Sequence, residues 1–245
     1  MQSLQRSIES FSSSRNQNSL PKPFFSPFLV TPLKVQGDGR FLNDSACYNS
    51  KYNMVTACSS NRTVQFYDAS TLEPSKRREV LDLEGSVTQM AFQSETDTYI
   101  LGCNSGFIYK YNISRNELVK VKQCQNQVQG VVYLKSTLFA FPLFNIKKLY
   151  IGNLDHNDVV TFDLNENNPT SLHYSQKRDL LFLGTSNGSV MIYRTDKLPD
   201  LQILYSVQAH SAGNWVLDIQ CIHVNGKEYI ATAGDDWTVK IRYGI

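Results

Sequence analysis

Charge of one sign is what this sequence most lacks. Its 24 Lys and Arg residues stand against 22 Asp and Glu, a net charge of +2. Residues 1–28 supply that whole excess, with Arg6, Arg15 and Lys22 against Glu9. A balanced chain exerts no long-range field, so bulk attraction to nucleic acid or to an anionic membrane is excluded and only local patches are left. Long apolar runs are missing too: none approaches the roughly 18 residues of a membrane-spanning helix, and residues 1–19, MQSLQRSIESFSSSRNQNS, hold no apolar stretch of the signal-peptide kind. Cysteine is sparse and odd in number, five residues with no CxxC pair. That argues against a disulfide framework or a zinc ribbon, and the expectation is a soluble protein of the cytoplasm or nucleus with reduced thiols.

The motifs of catalysis are absent as well. No GxSxG elbow and no phosphate-binding P-loop occur, and Gly102-x-x-x-Gly106 and Gly184-x-x-x-Gly188 read as hairpin glycines. Of the four histidines, His156, His173, His210 and His223, only His223 shares a strand face with a cysteine, Cys221, and further ligands at metal-site spacing are missing. The expectation is a protein that is not an enzyme, with no cofactor, no metal and no small-molecule substrate.

What the chain does have is repetition. Short apolar runs are punctuated by Gly, Asn, Asp and Ser, a pattern that favours β structure. One hairpin recurs four times: MVTACSSNRTVQFYD from Met54, YILGCNSGFIYKYN from Tyr99, LLFLGTSNGSVMIYR from Leu180 and KEYIATAGDDWTVKIRYGI from Lys227. At the small-residue position of these copies stand Cys58, Gly102, Gly184 and Ala233, which makes Cys58 a packing residue. A weaker copy, TLFAFPLFNIKKLY, is placed by period, with Pro142 and Phe144 where the others carry polar turn residues. The hairpins end at Tyr67, Tyr111, Tyr150, Tyr193 and Arg242, so the spacings are 44, 39, 43 and 49 residues. Four strands per period of about 40–45 residues are the signature of propeller blades.

The strands expected from this period form five cycles. The first is Ser45–Asn49, Met54–Ser59, Thr63–Asp68 and Glu79–Leu83. The second is Val87–Phe92, Thr98–Cys103, Phe107–Asn112 and Leu118–Lys122. The third is Val128–Leu134, Leu138–Phe141, Ile146–Tyr150 and Val159–Leu164. The fourth is Thr170–Tyr174, Leu180–Thr185, Ser189–Arg194 and Gln202–Val207. The fifth, Trp215–Cys221, Tyr229–Ala233 and Thr238–Arg242, ends after three strands. Residues 1–28 read as a flexible Ser/Asn/Pro-rich tail and 29–245 as the propeller domain, with Phe28–Val35 an extended strand that Pro32 suits to an edge.

The cycles resemble WD40 repeats. In the fifth, Gln208–Ala209–His210 stands for that family's Gly-His, Thr232 for its second-strand Ser/Thr and Asp236 for its turn Asp. The resemblance implies that His210, Thr232 and Asp236 form a buried structural network, with Arg242 in the place of the family's closing Trp. Elsewhere Asn61, Ser105 and Asn187 replace the Asp, and Tyr67, Tyr111 and Tyr193 the Trp, which marks a divergent member. The implied fold is an all-β, WD40-like propeller of about five four-stranded blades. Most rings of that family close with about seven blades, which at this period takes roughly 280–300 residues. The chain is therefore a small ring closed by Phe28–Val35 pairing with the last hairpin, an open propeller that a partner completes, or a sequence with part of the blades.

A propeller presents loops on a rigid frame, so the function expected is a non-catalytic interaction scaffold, a subunit of a multiprotein intracellular complex. Trp237 replaces the usual glycine at a hairpin tip and Trp215 opens an inner strand, so both are candidate partner contacts, with Arg242 beside them. Phe24, Phe25 and Phe28 lie among prolines in the tail and are candidates to dock on a partner or on the propeller itself. Two alternative readings remain. One is a reader of peptide motifs, histone-like tails included, through an aromatic and acidic central channel. The other is a subunit associated with nucleic acid, as in chromatin, through Lys76, Arg77, Arg78, Lys147 and Lys148.

Overall fold

The computed structural model describes residues 43–59, 62–75, 81–156, 158–165 and 167–243. The tail, Phe24, Phe25, Phe28, the strand expected at Phe28–Val35, the basic cluster Lys76–Arg78 and Asn61 lie outside the described residues. Within them, every cycle folds into one antiparallel sheet. Blade 1 holds β1 (Asn43–Asn49), β2 (Met54–Ser59), β3 (Thr63–Asp68) and β4 (Leu81–Asp82). Blade 2 holds β5 (Val87–Gln93), β6 (Thr98–Cys103), β7 (Phe107–Asn112) and β8 (Glu117–Gln123). Blade 3 holds β9 (Val132–Lys135), β10 (Leu138–Pro142), β11 (Lys148–Asn153) and β12 (Val159–Asp163). Blade 4 holds β13 (Pro169–Ser175), β14 (Leu180–Thr185), β15 (Ser189–Arg194) and β16 (Gln202–Gln208). Blade 5 holds β17 (Val216–Val224), β18 (Lys227–Gly234) and β19 (Val239–Tyr243). Strands pair in chain order in each sheet, so the expectation of four strands per blade holds for four blades and the fifth has three among the described residues.

Turn chemistry repeats with the strands. The hairpin between the first two strands of each blade puts a small polar residue in the left-handed region: Asn53, Asp97, Ser136, Asp179 and Asn225. Asn and Asp tolerate that conformation because their short side chains bond locally. The next turn does so with Gly106, Asn145 and Gly188, but with Arg62 and Trp237 in blades 1 and 5. A register shift recurs near the start of the inner strand in four blades, at Asn43/Ser45, Val87/Gln89, Pro169/Ser171 and Val216/Asp218. Such bulges raise local twist, and their repetition at one site is what equivalent blades require.

Blade 3 corrects the sequence reading. Its inner strand begins at Val132 rather than Val128, and its third strand is Lys148–Asn153 rather than Ile146–Tyr150. The loop at 143–147 is longer than those at 104–106 and 186–188, and it delays β11. Pairing of Phe139 with Gly152 puts Gly152, not Tyr150, at the place of Tyr111 and Tyr193. A side chain there would meet the Phe139 ring at 2.5 Å, so the glycine leaves room for the phenyl group. In blade 1 the part of the expected fourth strand Glu79–Leu83 that lies among the described residues is Leu81–Asp82, with a further bridge from Tyr67 to Pro74.

The core lies between blades. Met54, Cys58, Val64 and Phe66 pack on Val87, Met90, Tyr99 and Leu101 of blade 2. Ile100 and Ile108 pack on Val131, Phe139 and Phe141 of blade 3. Leu149 and Ile151 pack on Leu172, Leu181 and Leu183 of blade 4, and Val190 and Ile192 on Val216 and Ile219 of blade 5. Small second-strand residues make this approach possible: a Cβ on Gly102 would lie 2.7 Å from Val128, and one on Gly184 would lie 2.9 Å from Val216. Cys58 is fully buried, with its thiol 3.9 Å from the Met90 sulfur, so it is a packing residue. Polar groups stitch the same boundaries. The Thr88 hydroxyl donates to the Val128 carbonyl at 2.6 Å, and the Thr170 and Ser171 hydroxyls donate to the Val216 carbonyl at 2.7 and 2.9 Å.

Candidate functional site

The inner strands surround a central channel of about 1010 Å³, lined from all five blades. Its wall includes Gln89, Gln129, Gln220, His173, Tyr133, Tyr174 and the acids Glu95, Asp179 and Asp218. Gln89 spans two blade boundaries: its carbonyl accepts from the Val131 amide at 2.9 Å and its amide donates to the Leu172 carbonyl at 3.3 Å. The lining is thus polar but partly committed to holding blades together.

At one end of blade 5 the structure brings His210, Thr232 and Asp236 together. His210 is buried, its Nδ1 2.9 Å from Asp236 Oδ1 and its Nε2 3.0 Å from Thr232 Oγ1. With Asp236 ionised, Nδ1 carries the proton and Nε2 accepts from the Thr232 hydroxyl. The Thr238 hydroxyl and amide also donate to Asp236 Oδ1, at 2.6 and 3.1 Å. These bonds, led by that of the Thr238 hydroxyl and joined by that of His210, hold the Asp236 carboxyl down at about 2. Gly234 leaves the ring its space, since a Cβ there would sit 2.4 Å from His210 Nδ1. Every polar atom of the imidazole is engaged within the blade, so the arrangement offers no free base.

The next residue is Trp237. It is 98 % exposed, at φ 61°, on the hairpin tip. Trp215 behaves differently: it is half-buried, precedes β17, and its ring lies 6.5 Å from that of Phe144 in the blade 3 loop. Arg242 turns back to blade 4, its guanidinium donating to the Gln208 carbonyl at 2.8 Å. The three residues are therefore not gathered into one patch. Lys147 and Lys148 sit at the start of β11, in blade 3.

A second polar cluster, unread in the sequence, lies where blades 4 and 5 meet. Glu228 is buried and its carboxylate faces Arg178 Nε, the Ser175 hydroxyl at 3.2 Å and His223 Nε2 at 3.2 Å. His173 Nε2 accepts from the Cys221 amide at 3.3 Å, and burial lowers the pKa of this imidazole. Cys221 and His223 thus take separate partners, and His210 belongs to its own network. Burial pushes the Cys221 thiol up to about 11 and that of Cys103 to about 12, so both are neutral near pH 7. Among the described residues no three His, Cys, Asp or Glu side chains converge as metal ligands would. The one hint of Glu228 in the sequence is its place in the alternation of KEYIATAG, where it falls on the same face as the buried Ile230 and Thr232.

No family model matches the chain, and no curated protein matches it. Solved structures do. The β-propeller domain of Myceliophteria thermophila Cps50 (Swd1) is 14 % identical, with a TM-score of 0.66 over 84 % of this chain and 68 % of that one. The computationally designed Ika4 protein is 17 % identical, with a TM-score of 0.52 over 66 % of this chain and 92 % of that one. At such identities the likeness is one of fold: the chain forms a WD40-like β-propeller.

Proposed function

We propose that this chain is a non-catalytic interaction scaffold, a structural subunit of an intracellular multiprotein complex. Trp237 carries the reading. At the same turn position blades 2 and 4 use Gly106 and Gly188, residues with no steric penalty at positive φ. A tryptophan there costs the fold strain, and its 98 % exposure returns no burial. A large aromatic held on a rigid tip against the interests of folding is the kind of side chain that anchors a partner. Support for the intracellular setting comes from five free cysteines, Cys47, Cys58, Cys103, Cys124 and Cys221.

The test is co-purification from the cells that make the protein, comparing the wild type with Trp237→Gly. A partner retained equally well by the variant sinks the role given to Trp237. A second reading, a peptide-motif reader, is favoured by the channel, whose acids Glu95, Asp179 and Asp218 and aromatic Tyr133 and Tyr174 suit a basic peptide. Titration with a fluorescent lysine- and arginine-rich peptide separates the two, because Tyr174→Ala weakens only channel binding and Trp237→Gly only tip binding.

A further inference from the structure

The third strand of each blade turns two residues in succession towards the blade that follows. In blades 1 to 4 the first is Val64, Ile108, Leu149 or Val190, and the second, two positions on, is Phe66, Lys110, Ile151 or Ile192. The pairing fixes the correspondence: Phe66 stands opposite Thr56, Lys110 opposite Ile100, Ile151 opposite Ala140 and Ile192 opposite Phe182. Phe66, Ile151 and Ile192 are apolar and at most 4 % exposed. Of these four blades, blade 2 alone puts a charge at that position.

The receiving wall changes with it. Phe66 packs on Tyr111 of blade 2, with ring centroids 5.7 Å apart, and Ile151 shares a core cluster with Tyr193 of blade 4. At the corresponding place in blade 3 stands Gly152. One wall thus lacks the apolar side chain and the other lacks the tyrosine ring. A cleft of about 450 Å³ lies at this boundary, a volume in the range of ligand sites. Val119 and Val121 of β8 and Leu154 of the β11–β12 turn line its apolar part, and Lys110, Arg115 and Asp155 its charged part.

The cations of the cleft are not used by the fold. Lys110 is half-buried, and neither Lys110 nor Arg115 has an ion-pair partner among the described residues. Lys120, in the same wall, is committed to Glu84 at 2.7 Å. The carboxylates of the lining, Glu117 and Asp155, do not come within ion-pair distance of Lys110 or Arg115. An ammonium drawn out of water without a partner costs the fold free energy, and lysine is seldom buried in that state. The neighbouring blades show that an aliphatic residue meets the structural need at this position. Residues 1–42 are a poor source of the missing anion, since Glu9 and Asp38 stand there against Arg6, Arg15, Lys22, Lys34 and Arg40.

We infer that the cleft between blades 2 and 3 binds an anionic side chain, carboxylate or phosphate, carried by an extended peptide. Lys110 and Arg115 hold the anion by charge-assisted hydrogen bonds, and Val119, Val121 and Leu154 receive the apolar residues beside it. An extended segment suits the site because β8, one of its walls, is paired with β7 alone among the described residues. The inference rests on the scaffold reading for the presence of a protein partner, but it names a surface separate from the Trp237 tip.

The test is isothermal titration calorimetry of the full chain with a capped heptapeptide of valine and serine that carries glutamate, phosphoserine or glutamine at its centre. At least one of the two anionic peptides is expected to bind, and the glutamine peptide at least tenfold more weakly. The tighter of the two anionic peptides identifies the group as carboxylate or phosphate. Lys110→Met keeps the stem and removes the charge, so it is expected to weaken binding at least tenfold while melting no lower than the wild type. Asp155→Asn removes a carboxylate from the facing wall and is expected to tighten binding at least twofold. Absence of binding by both anionic peptides, equal binding of the glutamine peptide, or binding unchanged in Lys110→Met overturns the inference. A Lys110→Met variant that melts below the wild type overturns it too, because the ammonium would then serve the fold. Trp237→Gly is expected to leave peptide binding unchanged, so failure at the cleft and failure at the tip are read separately.

Discussion

Trp237→Gly is expected to leave the fold as stable as the wild type, or more stable. The tryptophan sits at φ 61° and is 98 % exposed. A left-handed backbone costs an ordinary L-residue about 1–2 kcal/mol, and glycine nothing comparable. Against this relief, glycine's freer unfolded chain costs roughly 0.5–1 kcal/mol. Lost burial adds little, because almost none of the side chain is covered. The sum lies between about 0 and +1.5 kcal/mol, and at about 2–4 °C per kcal/mol for a chain of this size the melting temperature rises by no more than about 6 °C. Trp237→Val, which keeps the strain and adds a β-branch, is expected to melt below the wild type. Thermal melts of the three full-length proteins, followed by circular dichroism, give the order glycine at or above tryptophan, then valine. A fall of more than about 4 °C for the glycine variant, roughly 1 kcal/mol or more, refutes the reasoning. It would mean that the indole packs on something in the free protein.

Other perturbations address what holds the blades. Because the Asp236 carboxyl is held at about 2, below its ordinary value of 3.8, its contribution is fully present above pH 4 and fades as the pH falls towards 2. The stability gap between the wild type and Asp236→Asn, measured by urea unfolding, is thus flat from pH 5 to 7 and narrows below pH 4; a gap that widens on acidification contradicts the assignment. Gly234→Ala drives a methyl group into the His210 ring and is expected to cost about 1–3 kcal/mol by overpacking, read from the same urea curves. Arg178→Leu strands the buried Glu228 carboxylate and is expected to cost about 3 kcal/mol, most of it recovered in Arg178→Leu/Glu228→Leu; a double variant worse than the single one rules out the pair.

Much of the fold was legible because repetition exposes it. The hairpins of blades 1, 2, 4 and 5 carry the same alternation and the same small residue, so Cys58, Gly102 and Gly184 could be aligned before their contacts were visible. Blade 3 was misjudged at Tyr150 because its five-residue loop at 143–147 moves the strand, and length changes in a loop leave the alternation pattern intact. The juxtaposition of His210, Thr232 and Asp236 followed from the resemblance rather than from any local signal, since they lie far apart in sequence. Arg178 and Glu228 were unreadable for a related reason: a charged residue in a turn looks solvated until the neighbouring blade buries its partner. Val239 and Ile241, 70 % and 64 % exposed where Val64, Ile108, Leu149 and Val190 are buried, were likewise hidden, because a strand reading V-K-I-R carries the same alternation in either setting.

The central claim is that the chain is an interaction scaffold whose exposed Trp237 tip anchors a partner. Co-purification of the full-length wild type and Trp237→Gly from the cells that make the protein, with each also melted alone, tests it most directly. The account predicts that the glycine variant melts at or above the wild type and loses at least tenfold of one co-purifying protein. Equal retention of every co-purifying protein by the two would contradict it.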